Sequence, residues 1–143
     1  MQPISILLVE DNPGDVALLR SALRKSAIPT NLVVAGDGAE ALDVFYRRHG
    51  HENDPAIDMA LFDINLPGMS GLELLAQVKA DADLCSTPVV MLTSSSAPGD
   101  IEQAYQHHAN SYVTKPTGVA ELTSLVEALE SFWFSLARLP TRN

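Results

Sequence analysis

A doubly wound α/β fold is expected, a five-stranded parallel sheet with five helices packed on its two faces. Three observations point to it. Five short apolar runs recur along the chain, each too uniformly apolar to be a strand with one wet face. Stretches with helical spacing separate them. Strands alternating with helices make βαβ units, whose crossovers are right-handed. The chain has 143 residues, of which 46% are hydrophobic. That suits one domain, with a core spanning about residues 4–139.

The first run, Ile4-Ser5-Ile6-Leu7-Leu8-Val9, ends abruptly in Glu10-Asp11-Asn12-Pro13-Gly14. Val16, Leu19 and Leu23 then mark a helix, with Asn12 or Asp11 to cap it and Pro13 in its first turn. Leu32 to Ala35 is the second strand, and Gly36-Asp37-Gly38 turns into a helix bearing Ala39, Leu42, Phe45 and Tyr46. Arg47 to Pro55 is a polar loop. Ile57 to Phe62 is the third strand, followed by Asp63. Pro67-Gly68 precedes a helix with Leu72, Leu75 and Ala76. Pro88 to Leu92 is the fourth strand, Ile101, Ala104, Tyr105 and His108 mark the fourth helix, and Tyr112-Val113 is a short fifth strand. The last helix is expected from about Val119 to Leu139.

Charge and cysteine content narrow the function. Nine Lys and Arg against eighteen Asp and Glu leave a net charge of −9. Such a chain is poorly matched to nucleic acid or to an anionic membrane surface. The lone cysteine, Cys85, has no internal disulfide partner, and no signal peptide or membrane span is visible, so a cytoplasmic setting is expected. His49, His51, His107 and His108 match no zinc spacing and read as solvated loop or helix-end residues. Asp37, Glu40, Asp81 and Asp83 read as a solvated acidic surface.

In a parallel sheet the carboxyl ends of the strands share one edge, where ligands bind at the reversal of strand order. That edge would gather Glu10 and Asp11 after strand 1, Asp63 after strand 3, Thr93 after strand 4, and Lys115-Pro116 after strand 5. Clustered carboxylates repel unless a cation sits among them. Mg²⁺ suits an all-oxygen site and commonly also holds a phosphoryl oxygen. A carboxylate can act as nucleophile and form an acyl phosphate, with the metal and a lysine neutralising the transferring group.

These residues carry a resemblance. Leu8-Val9-Glu10-Asp11-Asn12-Pro13, Phe62-Asp63-Ile64-Asn65-Leu66-Pro67-Gly68-Met69-Ser70-Gly71, Leu92-Thr93-Ser94-Ser95 and Tyr112-Val113-Thr114-Lys115-Pro116, in this order and at strand ends, resemble the receiver domain of two-component response regulators. The resemblance covers nearly the whole chain and implies the flavodoxin-like strand order 2-1-3-4-5. It implies that Asp63 accepts a phosphoryl group from a histidine kinase. It implies Mg²⁺ held by Asp11, Asp63, the Asn65 backbone carbonyl and, through water, Glu10. Thr93 and Lys115 would bind the phosphoryl group, Tyr112 would change rotamer with Thr93, and Pro116 would follow a cis peptide bond. Ser95 matches a position that tunes dephosphorylation. The acidic pair is Glu-Asp where many members have Asp-Asp, which bears on metal affinity.

A narrower resemblance, to the small response regulators of bacterial and cyanobacterial phytochrome kinases, rests on Glu10 to Asp15, the polar loop after helix 2 and Ala109-Asn110-Ser111-Tyr112. Only Pro140 to Asn143 follows the last helix, so a stand-alone receiver without an output domain is expected. That helix has an apolar stripe at Val119, Leu122, Val126, Leu129, Trp133 and Leu136. With Phe132 and Phe134 beside it, Trp133, Leu129 and Leu136 are expected to form a homodimer surface together with helix 4 and strand 5. A receiver-fold binding module that ignores phosphorylation is the alternative; its mark would be loss of an acidic or lysine position, and none is lost. An aspartate-nucleophile hydrolase would need a second acid where Asn65 stands.

Overall fold

Residues 2–140 are described by the structure, a computed structural model. What was expected of Met1 and of 141–143 lies outside them. The strands are β1 (Ile4–Val9), β2 (Thr30–Ala35), β3 (Met59–Phe62), β4 (Val89–Thr93) and β5 (Ser111–Thr114). The helices are α1 (Pro13–Arg24), α2 (Gly38–Tyr46), α3 (Gly71–Ala80), α4 (Pro98–Gln106) and α5 (Val119–Leu129). All strand pairs are parallel, in the order β2-β1-β3-β4-β5. The doubly wound expectation and its strand order therefore hold. The order reverses between β1 and β3, which puts Glu10, Asp11 and Asp63 beside that crevice.

Alternation along each strand explains why the runs are apolar throughout. Ile6 and Leu8 of β1, Met59 and Leu61 of β3, and Val90 and Leu92 of β4 pack with Leu19 and Leu23 of α1 and with Leu122, Val126 and Leu129 of α5. Leu7 and Val9, Ala60 and Phe62, and Val89 and Met91 face the other way, against Ala41 and Val44 of α2, Leu74, Leu75 and Val78 of α3, and Ala104 of α4. Phe62 meets Phe45 edge to face at 6.5 Å between ring centroids.

Local chemistry sets the helix starts. Asn12 caps α1 by accepting from Asp15 N at 3.1 Å, with Pro13 in the first turn. Asp37 caps α2 through Glu40 N at 2.8 Å, and Ser70 caps α3 through Glu73 N at 3.2 Å. Asp37 is thus a cap rather than part of a solvated acidic surface. Asp81 likewise accepts from the Tyr46 hydroxyl.

The C-terminal helix departs from expectation. It is α-helical only to Leu129, and Glu130–Leu136 is a π-helix. Its wider turn is visible where Ala137 N donates to Phe132 O at 2.7 Å, five residues back. A five-residue step from buried Leu129 lands on Phe134, which becomes core. Leu129 and Phe134 are therefore not surface residues, at 6% and 9% exposure, whereas Phe132 and Leu136 are exposed at 53% and 73%. Trp133 is half-buried and stands edge-on to Phe132 at 5.2 Å. Trp133, expected on the dimer surface, is thus only partly exposed, because the π turn that sets its place is absent from strict 3.6-residue spacing.

Candidate functional site

The site assembles at the carboxyl edge of the sheet. The residues at or just past the ends of β1, β3, β4 and β5 are polar, because the backbone leaves the sheet there and no further apolar partner covers the side chain. Glu10 follows β1 and is buried, as is Asp63 after β3; Thr93 closes β4 and is fully buried. Lys115 follows β5 and reaches back across the edge. Its ammonium donates to Glu10 Oε1, to Asp15 Oδ2 at 2.8 Å and to Asp63 Oδ2 at 3.4 Å. The backbone fixes where this side chain starts: Lys115 N donates to Thr93 O at 2.6 Å.

Each carboxylate has further partners. Glu10 Oε2 accepts from Asp11 N at 3.0 Å and Asn12 N at 3.3 Å. Asp63 Oδ1 accepts from Ile64 N at 2.7 Å. Burial raises the Glu10 carboxyl above the ordinary range, and the hydrogen bond from Lys115 only partly offsets it. Burial pushes Asp63 the same way, but the Thr93 hydroxyl, the charge of Lys115 and the other hydrogen bonds outweigh it, so Asp63 is held below the usual carboxylate range. Lys115 is likewise opposed by burial, yet Asp15 and Glu10 raise it well above the usual lysine value. The result is an ionised Asp63 beside a cation.

The predicted residues are not all equivalent in the structure. Glu10, Asp63, Thr93 and Lys115 converge. Asp11 sits on the exposed rim, and Asn65 lies two residues past Asp63 on an exposed turn. Among the described residues, no group of three or more His, Cys, Asp or Glu makes a ready metal cage. Mg²⁺ does not need one, since it keeps several waters and takes one or two carboxylates plus substrate phosphate oxygens. The donors present, Glu10, Asp11, Asp63 and the Asn65 carbonyl, are hard oxygens and fit that ion. The expected cis bond before Pro116 is corrected: no peptide bond among the described residues is cis. Trans is the intrinsic preference of an X–Pro bond by about 0.5–1 kcal/mol, and Lys115 reaches the carboxylates with the bond trans.

Tyr112 is half-buried, and its hydroxyl donates to the Ser95 carbonyl at 2.8 Å. Ser95 N donates in turn to Thr93 Oγ1 at 3.5 Å, and the Ser95 hydroxyl donates to Asp100 at 2.6 Å. Ser95 thus joins Thr93, Tyr112 and the first turn of α4.

Two contributors escaped the sequence reading as site residues. Asp15 lies in the first turn of α1, four residues past Asp11, so only helical geometry brings it to Lys115. Gly71 opens α3 directly against the Asp63 loop: its N–H donates to Ile64 O at 2.8 Å, and any Cβ there would collide with the Asp63 carbonyl. Its place in the quoted stretch from Phe62 to Gly71 was the available signal. His51 also departs from a solvated reading. Its ring lies between Asp54 Oδ2 at 2.6 Å and Glu40 Oε2 at 3.2 Å, and the Asp54 hydrogen bond raises it above the ordinary histidine value despite burial.

A parallel sheet whose carboxyl edge gathers buried acids, a threonine and a lysine defines a receiver-type α/β domain. Residues 6–127 match the response regulator receiver domain family, and the chain belongs to that family. It is 38% identical over 138 residues to the response regulator Rcp1 of Synechocystis, covering 96% of this chain and 94% of that protein. The crystal structure of the phosphorylated cyanobacterial phytochrome response regulator RcpA superposes with a TM-score of 0.92 at 38% identity, covering 98% of this chain and all of that one. The Mn²⁺-bound form of Rcp1 superposes with a TM-score of 0.90 at 37% identity, covering 97% and 100%.

Proposed function

We propose that the chain works as a single-domain response regulator that takes a phosphoryl group from a histidine kinase onto Asp63, in a cytoplasmic phosphorelay. The observation that carries this is the ionised Asp63 carboxylate facing the Lys115 ammonium at 3.4 Å inside a buried acidic pocket.

Asp63 Oδ attacks the phosphorus of a phosphohistidine; the O–P bond forms as the N–P bond breaks, and the imidazole leaves. Bound Mg²⁺ would neutralise charge on the transferring group, held by Asp11, Asp63, the Asn65 carbonyl and, through water, Glu10. Lys115 pairs with a phosphoryl oxygen. The buried Thr93 hydroxyl turns to a second oxygen, and its link through Ser95 carries the change to Tyr112 and the α4–β5–α5 face. That is a charge event biasing a two-state element. Hydrolysis of the acyl phosphate is at most a slow self-catalysed reaction.

The likenesses to Rcp1 and RcpA support a phytochrome-type kinase as donor. The test is phosphotransfer from a purified, autophosphorylated bacterial phytochrome kinase. Label should appear on this chain within seconds to minutes and be absent from Asp63→Asn. Transfer no faster than from an unrelated histidine kinase would remove the phytochrome pairing.

A homodimer through α5, β5 and α4 belongs to this reading. Its support is a cavity of about 430 Å³ along that face, lined by Val113, Leu125, Ala128, Phe132 and Trp133 among others, beside exposed Phe132 and Leu136.

A further inference from the structure

Lys115 has three carboxylate partners, and one of them serves no step described above. Asp15 Oδ2 lies 2.8 Å from the ammonium, while Asp63 Oδ2 lies 3.4 Å away. Asp15 stands in the first turn of α1. Its side chain is 38% exposed, against 3% for Glu10 and 9% for Asp63. A cavity of about 50 Å³ lined by Asp15, Lys115, Pro116, Thr117 and Leu18, among others, flanks the lysine on this side. The ammonium therefore has open space on its Asp15 side, while Asp63 Oδ2 is already within 3.4 Å of it.

We propose that Asp15 is a positioning residue that holds Lys115 toward α1 while Asp63 is unmodified, so that a phosphoryl group on Asp63 must draw the lysine away from Asp15. The proposal rests on Asp63 as phosphoacceptor. The Asp15 contact is the shorter of the two, so Asp15 competes with Asp63 for the ammonium for as long as Asp63 is a single carboxylate. The acyl phosphate carries up to about two negative charges where the carboxylate carried one, and it presents three phosphoryl oxygens to the ammonium, which reverses that balance. The phosphorylated state then bears the loss of the Lys115–Asp15 pair. Asp15 sets how readily the active state forms without touching the phosphorus. Because Asp15 is partly exposed, water screens the pair and the effect is modest.

The test uses beryllofluoride, a phosphoryl mimic, titrated at saturating Mg²⁺ and followed by ¹⁹F NMR of the bound species. Asp15→Asn should tighten binding about threefold, in keeping with a pair that has one partly exposed partner. Asp15→Glu, which keeps the charge, should stay near wild type. In a Lys115→Gln background, Asp15→Asn should change nothing, because the lysine through which it acts is gone. A purely structural role for Asp15 would not show this dependence on Lys115. Unchanged or weaker binding in Asp15→Asn, Asp15→Glu behaving like Asp15→Asn, or equal tightening in both backgrounds would each overturn the proposal. If wild type shows no bound signal, or Asp63→Asn keeps it, the phosphoacceptor reading fails first and takes this one with it.

Discussion

Lys115 is the residue on which the site balances. It is the cation between Glu10 and Asp63, both buried. Its pKa is raised, so the stability it contributes is present below the unfolded lysine value of about 10.4 and is lost only as pH climbs through the higher folded value. The pairs thus persist across the physiological range. Removing the cation leaves two buried carboxylates facing each other. Lys115→Met should therefore be less stable by about 2–4 kcal/mol at pH 7 without Mg²⁺. Its acids would have raised pKa values, which penalise folding once they ionise, so the deficit should shrink as pH falls and they protonate. Urea titrations at pH 7.5 and pH 4.5 read this directly; a deficit that is the same at both values contradicts it. Glu10, Asp63, Thr93 and Lys115 were all legible in the sequence, because strand ends in a parallel sheet must share an edge. Asp15 was not, because its role depends on which turn of α1 faces β5.

At the scale of elements, the strands were legible for a simple reason. Each apolar run serves two cores at once, as Ile6 and Leu8 against Leu7 and Val9 show, and no period-2 polar face interrupts it. Boundaries shifted by one or two residues: β2 begins at Thr30 and β3 at Met59. The C-terminal helix was the harder case. Its stripe obeys α-helical spacing to Leu129, and only the π turn makes Phe134 the next inward residue. Side-chain periodicity does not announce a π turn, because the residues that favour it are ordinary helix residues. The burial difference makes a sharp comparison. Phe134→Ala should cost about 3 kcal/mol, in the range for emptying a buried aromatic position. Leu136→Ala, at 73% exposure, should stay within about 0.5 kcal/mol of wild type. Thermal unfolding of the two variants would show the gap; a larger loss in Leu136→Ala than in Phe134→Ala would mean that the helix runs on as an unbroken α-helix.

For the whole molecule, the acidic balance and the parallel sheet set what the surface can do. No helix among the described residues is long and apolar enough to cross a membrane. The exposed apolar residues Phe132, Leu136 and Val119 mark the end of the sheet where β5 is the edge strand. Exposed apolar surface beside an edge strand commonly marks a partner. Sedimentation at tens of micromolar should show a dimer that Phe132→Asp converts to monomer without unfolding it. A monomer with and without beryllofluoride would remove the dimer.

Everything proposed for this site depends on Asp63 taking up a phosphoryl group with Mg²⁺ present. Intact mass after incubation with Mg²⁺ and a small phosphodonor such as acetyl phosphate reads this at once. One added phosphoryl group is expected, absent from Asp63→Asn and absent without Mg²⁺. No adduct on a folded wild-type chain, or an adduct that survives Asp63→Asn, would contradict it.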